Sequence, residues 1–202
     1  MRRSIRHAAS LAVLATAAVT AFSSAAFAHP GHPDIGFLGF AGGFAHPLTG
    51  LDHLLAMVAV GLWASQLGGR ALWLLPLTFP VVMAAGAALG FGGVALPWVE
   101  IGIAGSVLVL GAMVALTLKP SLAMSLPLIA AFAVLHGYSH GVELPADASG
   151  LTYGAGFMAA TFTLHLVGIA LGLLANRIPV RFAARTAGGA IACIGLLLVI
   201  TH

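Results

Sequence analysis

Long apolar blocks, separated by short polar breaks, run through most of this chain. Each block is close to the roughly 20 residues that an α-helix needs to cross a bilayer. The blocks are continuous and do not alternate with a period of two, which favours helices over a β-barrel. The pattern predicts an all-α, polytopic membrane protein with six transmembrane helices. We place the crossings at about residues 48–66, 72–91, 98–118, 122–142, 153–175 and 182–201.

The N-terminus has the three parts of a secretory signal. Three arginines within the first six residues precede an apolar stretch over residues 8–22, and small residues end at Ala28. This predicts a cleaved signal peptide over residues 1–28, with an uncleaved signal anchor as the alternative. One six-helix membrane domain would then occupy residues 29–202. A glycine-rich apolar stretch over residues 37–45 is a candidate re-entrant or interfacial segment before the first crossing.

Composition excludes a soluble globular protein, because 60% of the residues are hydrophobic and only 6% are charged. Cleavage after Ala28 would remove three of the eight basic residues and leave five basic against five acidic ones. The remaining charge gives no reason to expect nucleic acid as a partner. Cys193 is the single cysteine, which rules out a disulfide or a thiolate metal cluster within the chain.

The charges in the breaks predict the orientation of the helices. A cleaved signal leaves the mature N-terminus outside, and the breaks after crossings one, three and five would then lie inside. All five basic residues of the mature chain fall in or directly beside these breaks, as the positive-inside rule requires of six crossings. The other side carries acidic residues that would concentrate external cations. The basic residues are Arg70, Lys119, Arg177, Arg181 and Arg185, and the acidic ones are Asp34, Glu100, Glu143 and Asp147.

Two clusters of histidine and carboxylate interrupt the apolar pattern, in a setting where such residues are expensive and usually functional. The first runs from His46 to Asp52 and His53. His46 and His53 face the same way on a helix but differ in height by about 10 Å. They can share an ion only if the chain is broken between them, and Pro47 and Gly50 make such a break plausible.

The second cluster, His136, His140 and Glu143, lies on one face of the fourth crossing. Histidines at i and i+4 can bind one metal ion, and Glu143 adds an oxygen ligand or orients an imidazole. We expect Asp52 and His53 to meet this cluster in the outer half of the membrane. The two clusters, three crossings apart, also suggest weakly related inverted repeats.

Three further histidines are candidate ligands outside the two clusters. His165, in the fifth crossing, is either a packing residue or part of the path along which an ion moves inward. His29 would become the mature N-terminus, where its amine and imidazole can form a chelate that His32 completes. The alternative for His29 and His32 is a tail without function.

The two motifs resemble the paired signature of the HupE/UreJ family of bacterial metal permeases. The resemblance rests on His46 followed by Asp52-His53, and on His136-Gly137-x-x-His140-Gly141-x-Glu143. It covers nearly the whole mature chain and departs from the family at Leu135, where an aromatic residue is common. It implies a permease of the bacterial inner membrane that moves nickel, in some cases cobalt, alongside hydrogenase or urease systems. The functional residues that it carries over are His46, Asp52, His53, His136, His140 and Glu143.

Imidazole and carboxylate ligands suit borderline divalent ions, and their affinity order alone does not single out nickel. The expected function is therefore uptake of Ni(II), or of Co(II), from periplasm to cytoplasm, with the ion as cargo and no permanently bound cofactor. The expected partners are nickel-enzyme maturation proteins and the lipid bilayer that surrounds the helices. The sequence does not decide whether the protein forms an oligomer. We expect no enzymatic activity. The alternatives are a membrane metalloenzyme and a non-transporting accessory protein that binds nickel.

Overall fold

A computed structural model describes residues 39–144, 149–177 and 182–201, and these residues form seven α-helices without a β-strand. The predicted signal peptide lies outside the described residues. The all-helical prediction is confirmed. The helices are α1 (Gly39–Thr49), α2 (Leu51–Leu67), α3 (Ala71–Phe91), α4 (Val99–Ala115), α5 (Leu122–Glu143), α6 (Ser149–Arg177) and α7 (Ala183–Thr201).

Four of these helices, α3, α5, α6 and α7, are long and apolar enough to cross a membrane. The pair α1 and α2 adds a fifth candidate if the two helices together make one broken span. These helices make the chain a membrane protein, while the count of six crossings stays a prediction. The predicted crossing that is missing from these candidates is α4, which has 17 residues where we expected about 21.

Backbone geometry at its two ends explains why α4 is short. Trp98, just before the helix, has a φ of 63°, and Thr117, just after it, has a φ of 53°. Both values are in the left-handed region, which residues other than glycine rarely adopt and which does not continue a right-handed helix. The 17 residues of α4 therefore span about 26 Å, slightly less than a bilayer core of about 30 Å.

The first predicted crossing is also not one straight helix. The chain bends by 82° between α1 and α2, and Gly50 at the break has an extended backbone with ψ of 115°. The last turn of α1 closes on His46, whose carbonyl accepts from the Gly50 backbone N–H at 3.3 Å and from Thr49 Oγ1 at 2.8 Å. The described part of the glycine-rich segment expected before the first crossing, from Gly39 onward, thus belongs to a separate helix.

Glycines let the helices pack in pairs at very short distance. A Cβ on Gly86 or Gly90 of α3 would collide with the backbone of α5, and one on Gly168 of α6 would collide with that of α2. The small-xxx-small spacing of these glycines therefore does lie at helix contacts. α4 and α7 pack in the same way, through Gly111, Gly188 and Gly195.

The contacts of two helix pairs, α3 with α5 and α2 with α6, follow the same register. Each helix of a pair contributes one glycine to the contact. That glycine packs against the partner helix at the residue three positions before the partner's own glycine. Exchanging α2 with α5 and α3 with α6 thus reproduces the packing, as inverted repeats would. The four contacts are Gly86 with Val134, Gly137 with Met83, Gly168 with Val58, and Gly61 with His165.

Candidate metal-binding site

The two predicted clusters meet at one end of the bundle, where α2 and α6 begin and α5 ends; we call this the site end. The ring centroid of His53 lies 4.6 Å from that of His136 and 4.4 Å from that of His140. His46, on α1, places its ring centroid 4.8 Å from that of His140. Four imidazoles from three helices therefore form one contiguous group, which we call the histidine cluster.

Asp52 determines which nitrogens of His53 and His140 are free. Its Oδ1 accepts from the His53 backbone N–H at 2.7 Å and from His53 Nδ1 at 2.9 Å. Neutral His53 then has its lone pair on Nε2, which lies 2.7 Å from His140 Nε2. Since one of the two must donate, His140 donates here and keeps its lone pair on Nδ1. Within the described part of the chain, this buried Nδ1 has no hydrogen-bond partner.

Ser106, on α4, has the same effect on His136. Its hydroxyl donates to the Ile103 carbonyl at 2.6 Å, so the Ser106 oxygen acts as acceptor toward His136 Nε2 at 2.8 Å. His136 therefore has its proton on Nε2 and its lone pair on Nδ1. That Nδ1 is also buried and without a partner among the described residues. Such an outer support is what ligating histidines in proteins usually have.

Glu143 completes a three-residue group that could hold a cation at the mouth of the cluster. One ligand atom from each of His46, His140 and Glu143 lies within 4.8 Å of the others. The bend at Gly50 makes this possible, because on a straight helix His46 would lie about 10 Å above His53. Glu143 is exposed, His46 is half-buried, and His140 is buried. The group is thus open toward the end of the helices.

Aromatic rings enclose the cluster on its inner side. Phe157 of α6 places its ring centroid 4.0 Å from that of His140 and about 6 Å from those of His46 and His53. Phe79 of α3 lies 5.6 Å from His136. Sequence reasoning missed both rings and Ser106, because isolated Phe and Ser residues in apolar helices have no distinguishing pattern. The cluster is consequently shielded by apolar groups, which strengthens electrostatic interactions within it.

The structure brings together six of the predicted ligands: His46, Asp52, His53, His136, His140 and Glu143. Asp52 contacts His53 and acts through it. His165 is fully buried on α6, outside the group. His29 and His32 lie outside the described residues, so their role stays a prediction. That any of these residues binds a metal ion likewise stays a prediction.

We expect Ser106→Ala to weaken metal binding by about tenfold without removing a ligand, because outer supports of ligating histidines typically contribute 10–100-fold. Without the hydroxyl, the His136 proton can move to Nδ1 and block the lone pair. Nickel titration of the purified variant measures the effect. Ser125→Ala is the matched control, since Ser125 is equally buried and likewise donates to a nearby backbone carbonyl, that of Ser121, but it does not support one of the clustered histidines. Equal affinities for the two variants would contradict this role of Ser106.

The fold is that of a polytopic, all-helical membrane protein, and buried imidazoles beside carboxylates from several of its helices are the kind of group that usually marks a functional site in such proteins. The sequence matches the family described as HupE / UreJ protein over residues 17–198. It is also 45% identical to Protein HupE of Rhizobium leguminosarum bv. viciae over 188 residues, which cover 93% of this chain and 97% of that protein. The chain belongs to the HupE/UreJ family. No solved structure matches it.

Proposed function

We propose that this protein transports a divalent transition-metal ion, Ni(II) in the first place and Co(II) in the second, from the periplasm to the cytoplasm. The proposal rests on the histidine cluster, in which fixed hydrogen bonds leave Nδ1 of His136 and of His140 as buried lone pairs. Neutral imidazole with a free lone pair is the form that a metal ion requires. Family membership and the resemblance to metal permeases support nickel as the cargo.

The geometry suggests an order of events. A hydrated cation would first meet Glu143 and His46, the less buried members of the three-residue group, and then His140, which is buried behind them. It would then exchange water ligands for the deeper His136 Nδ1. His140 would be a ligand at both positions, the one near Glu143 and the one at His136. His53, supported by Asp52, holds His140 through the hydrogen bond between the two Nε2 atoms. A cation that displaces this hydrogen bond would enter the bundle.

Charged residues support the proposed direction. Among the described side chains, Asp52, Glu100 and Glu143 lie at the site end. Arg70 and Lys119 follow the opposite ends of α2 and α4, and Arg185 Nε donates to the Ala115 carbonyl at that same opposite end. By the positive-inside rule, these charges favour a site end that faces the periplasm of an inner-membrane protein. Released ion would reach nickel-enzyme maturation proteins in the cytoplasm.

Uptake of labelled nickel into cells that lack other nickel importers tests this function. We expect the wild-type protein to raise uptake at limiting nickel, and His53→Ala to lower it by about tenfold or more, since the His53 ring supports His140. Val142→Ala, at a side chain that is 60% exposed beside the cluster, is the matched control and should transport normally. Cobalt and zinc as competitors would rank the cargo.

The same measurement separates transport from the two alternatives. A nickel-binding accessory protein would restore nickel-enzyme activity without changing total cell nickel. A metalloenzyme would retain its metal in purified protein and show turnover, with no uptake. Either result, or full uptake by His53→Ala, would contradict the proposed mechanism.

A further inference from the structure

His165 lies deeper in the bundle than the histidine cluster. It follows Phe157, which packs against the cluster, by eight residues on α6, a rise of about 12 Å along the helix. The ring of Phe79 lies between the two levels, with its centroid 5.6 Å from that of His136 and 5.4 Å from that of His165. His165 is fully buried, so it is one aromatic ring away from the cluster.

Pro80 in α3 determines how His165 is oriented. In a regular helix, the carbonyl of residue 76 would accept from the N–H of residue 80, but residue 80 is Pro80 and has no N–H. The Pro76 carbonyl is left free and lies 3.2 Å from His165 Nδ1. A carbonyl can only accept, so Nδ1 donates and the lone pair of neutral His165 is on Nε2.

That lone pair lies in the interior without a partner. His165 Nε2 is buried and makes no hydrogen bond to any described residue, and the same is true of Thr161 Oγ1. Thr161 precedes His165 by one helical turn, so both side chains are on the same face of α6. Unpartnered buried polar atoms are costly and rare in folded proteins. Two of them on one helix face, with an outer support holding the imidazole, are typical of a ligand site.

We propose that His165 Nε2, with Thr161 Oγ1, forms a second station for the transported cation, and that Pro80 positions it by keeping the Pro76 carbonyl free. This inference rests on the proposed function and adds to it a point on the route beyond Phe79. A cation leaving His136 Nδ1 would move past the Phe79 ring to an imidazole already presenting its lone pair. The station takes a borderline divalent ion, because it offers one nitrogen and one hydroxyl oxygen and no thiolate.

The first test replaces His165 by Leu. We expect nickel uptake to fall about tenfold or more, while nickel binding by the purified protein at the histidine cluster changes by no more than about twofold, because the sites are separate. Normal uptake by His165→Leu would overturn the second station. Absence of uptake by the wild-type protein would instead contradict the proposed function, so the two failures can be told apart.

A double variant separates transport from folding. His165→Leu alone leaves the Pro76 carbonyl buried without a donor, which should lower the melting temperature. Adding Pro80→Ala supplies the missing helical N–H to that carbonyl. We therefore expect the double variant to regain thermal stability and still transport no better than His165→Leu. If uptake returns together with stability, His165 is a structural residue and the proposal is wrong.

Pro80→Ala by itself tests the positioning. The new N–H at residue 80 competes for the Pro76 carbonyl, so the His165 proton is no longer fixed on Nδ1. We expect the ¹⁵N signals of the His165 ring to change toward a mixture of tautomers, and uptake to fall about tenfold. Pro127→Ala, at an exposed proline within α5, is the matched control with uptake unchanged. An unaltered tautomer and unaltered uptake in Pro80→Ala would overturn the role of Pro80.

Discussion

Replacing His140 by Ala is expected to lower nickel uptake at limiting concentration by about 100-fold, the largest effect of any single ligand in the cluster. His140 belongs to the three-residue group with His46 and Glu143, and it also pairs with His53. Its loss therefore removes a ligand from both positions that we assign to the cation. It also leaves His53 Nε2 without its partner.

The measurement is uptake of labelled nickel across a range of external concentrations. Because both capture and the next step depend on His140, we expect the maximal rate to fall together with the apparent affinity. Glu143→Gln, which alters only the three-residue group, should change mainly the apparent affinity. If His140→Ala and Glu143→Gln give the same profile, His140 does not link the two positions as proposed.

Gly137→Ala is expected to lower the free energy of unfolding by about 3 kcal/mol, which is in the upper part of the range for overpacked cores. A loss of this size should prevent stable folding. A Cβ at this position would collide with the carbonyl of Met83 in α3. The obstacle is backbone, so no side-chain rotation can relieve it, and α3 and α5 would have to separate. That movement would also displace His136, the neighbour of Gly137, from Ser106.

Thermal unfolding of protein purified in a mild detergent measures this effect. Gly105→Ala is the matched control, because a Cβ at Gly105 in α4 meets no atom within 4 Å apart from the nearby backbone of its own helix. Alanine has the higher helix propensity, by about 1 kcal/mol, so this control should be as stable as the wild type or slightly more stable. Equal unfolding temperatures for the two variants would contradict the close packing of α3 and α5.

The apolar pattern was sufficient to predict the helices that are uninterrupted over a full crossing. For α3 and α7, the predicted and observed bounds differ by no more than one residue, since hydrophobic length alone defines a helix in lipid. The pattern could not place the ends of α4, because the left-handed backbone at Trp98 and Thr117 has no signal in hydropathy. Hydropathy also does not show the bend at Gly50, which was indicated instead by Pro47 and Gly50 between the two histidines.

For the site, spacing indicated which residues share a face, and the helical period brought His136 and His140 together. The encounter of His53 with His140 could only be hypothesised, because it depends on how α2, α5 and α6 pack. The roles of Ser106 and Pro80 could not be predicted from the sequence for a further reason. Their roles arise from a hydroxyl acceptor and a missing N–H that are meaningful only beside a particular imidazole.

The internal symmetry shows the same limit. The sequence suggested related halves because both contain a histidine cluster. In the structure the related positions are those at the glycine contacts, where Val58 corresponds to Val134 and Gly61 to Gly137. By that register His53 corresponds to Ile129, so the two clusters are not equivalent. They share the site end because each half contributes a different helix end to it.

The most direct test of the central claim is nickel influx into vesicles that contain only the purified protein and enclose a nickel-sensitive dye. We predict that wild-type vesicles take up Ni(II) faster than protein-free vesicles, and that His140→Ala vesicles behave like the protein-free ones while Val142→Ala vesicles behave like the wild type. Influx through wild-type protein no faster than through bare lipid, or equal influx through wild type and His140→Ala, would contradict the account.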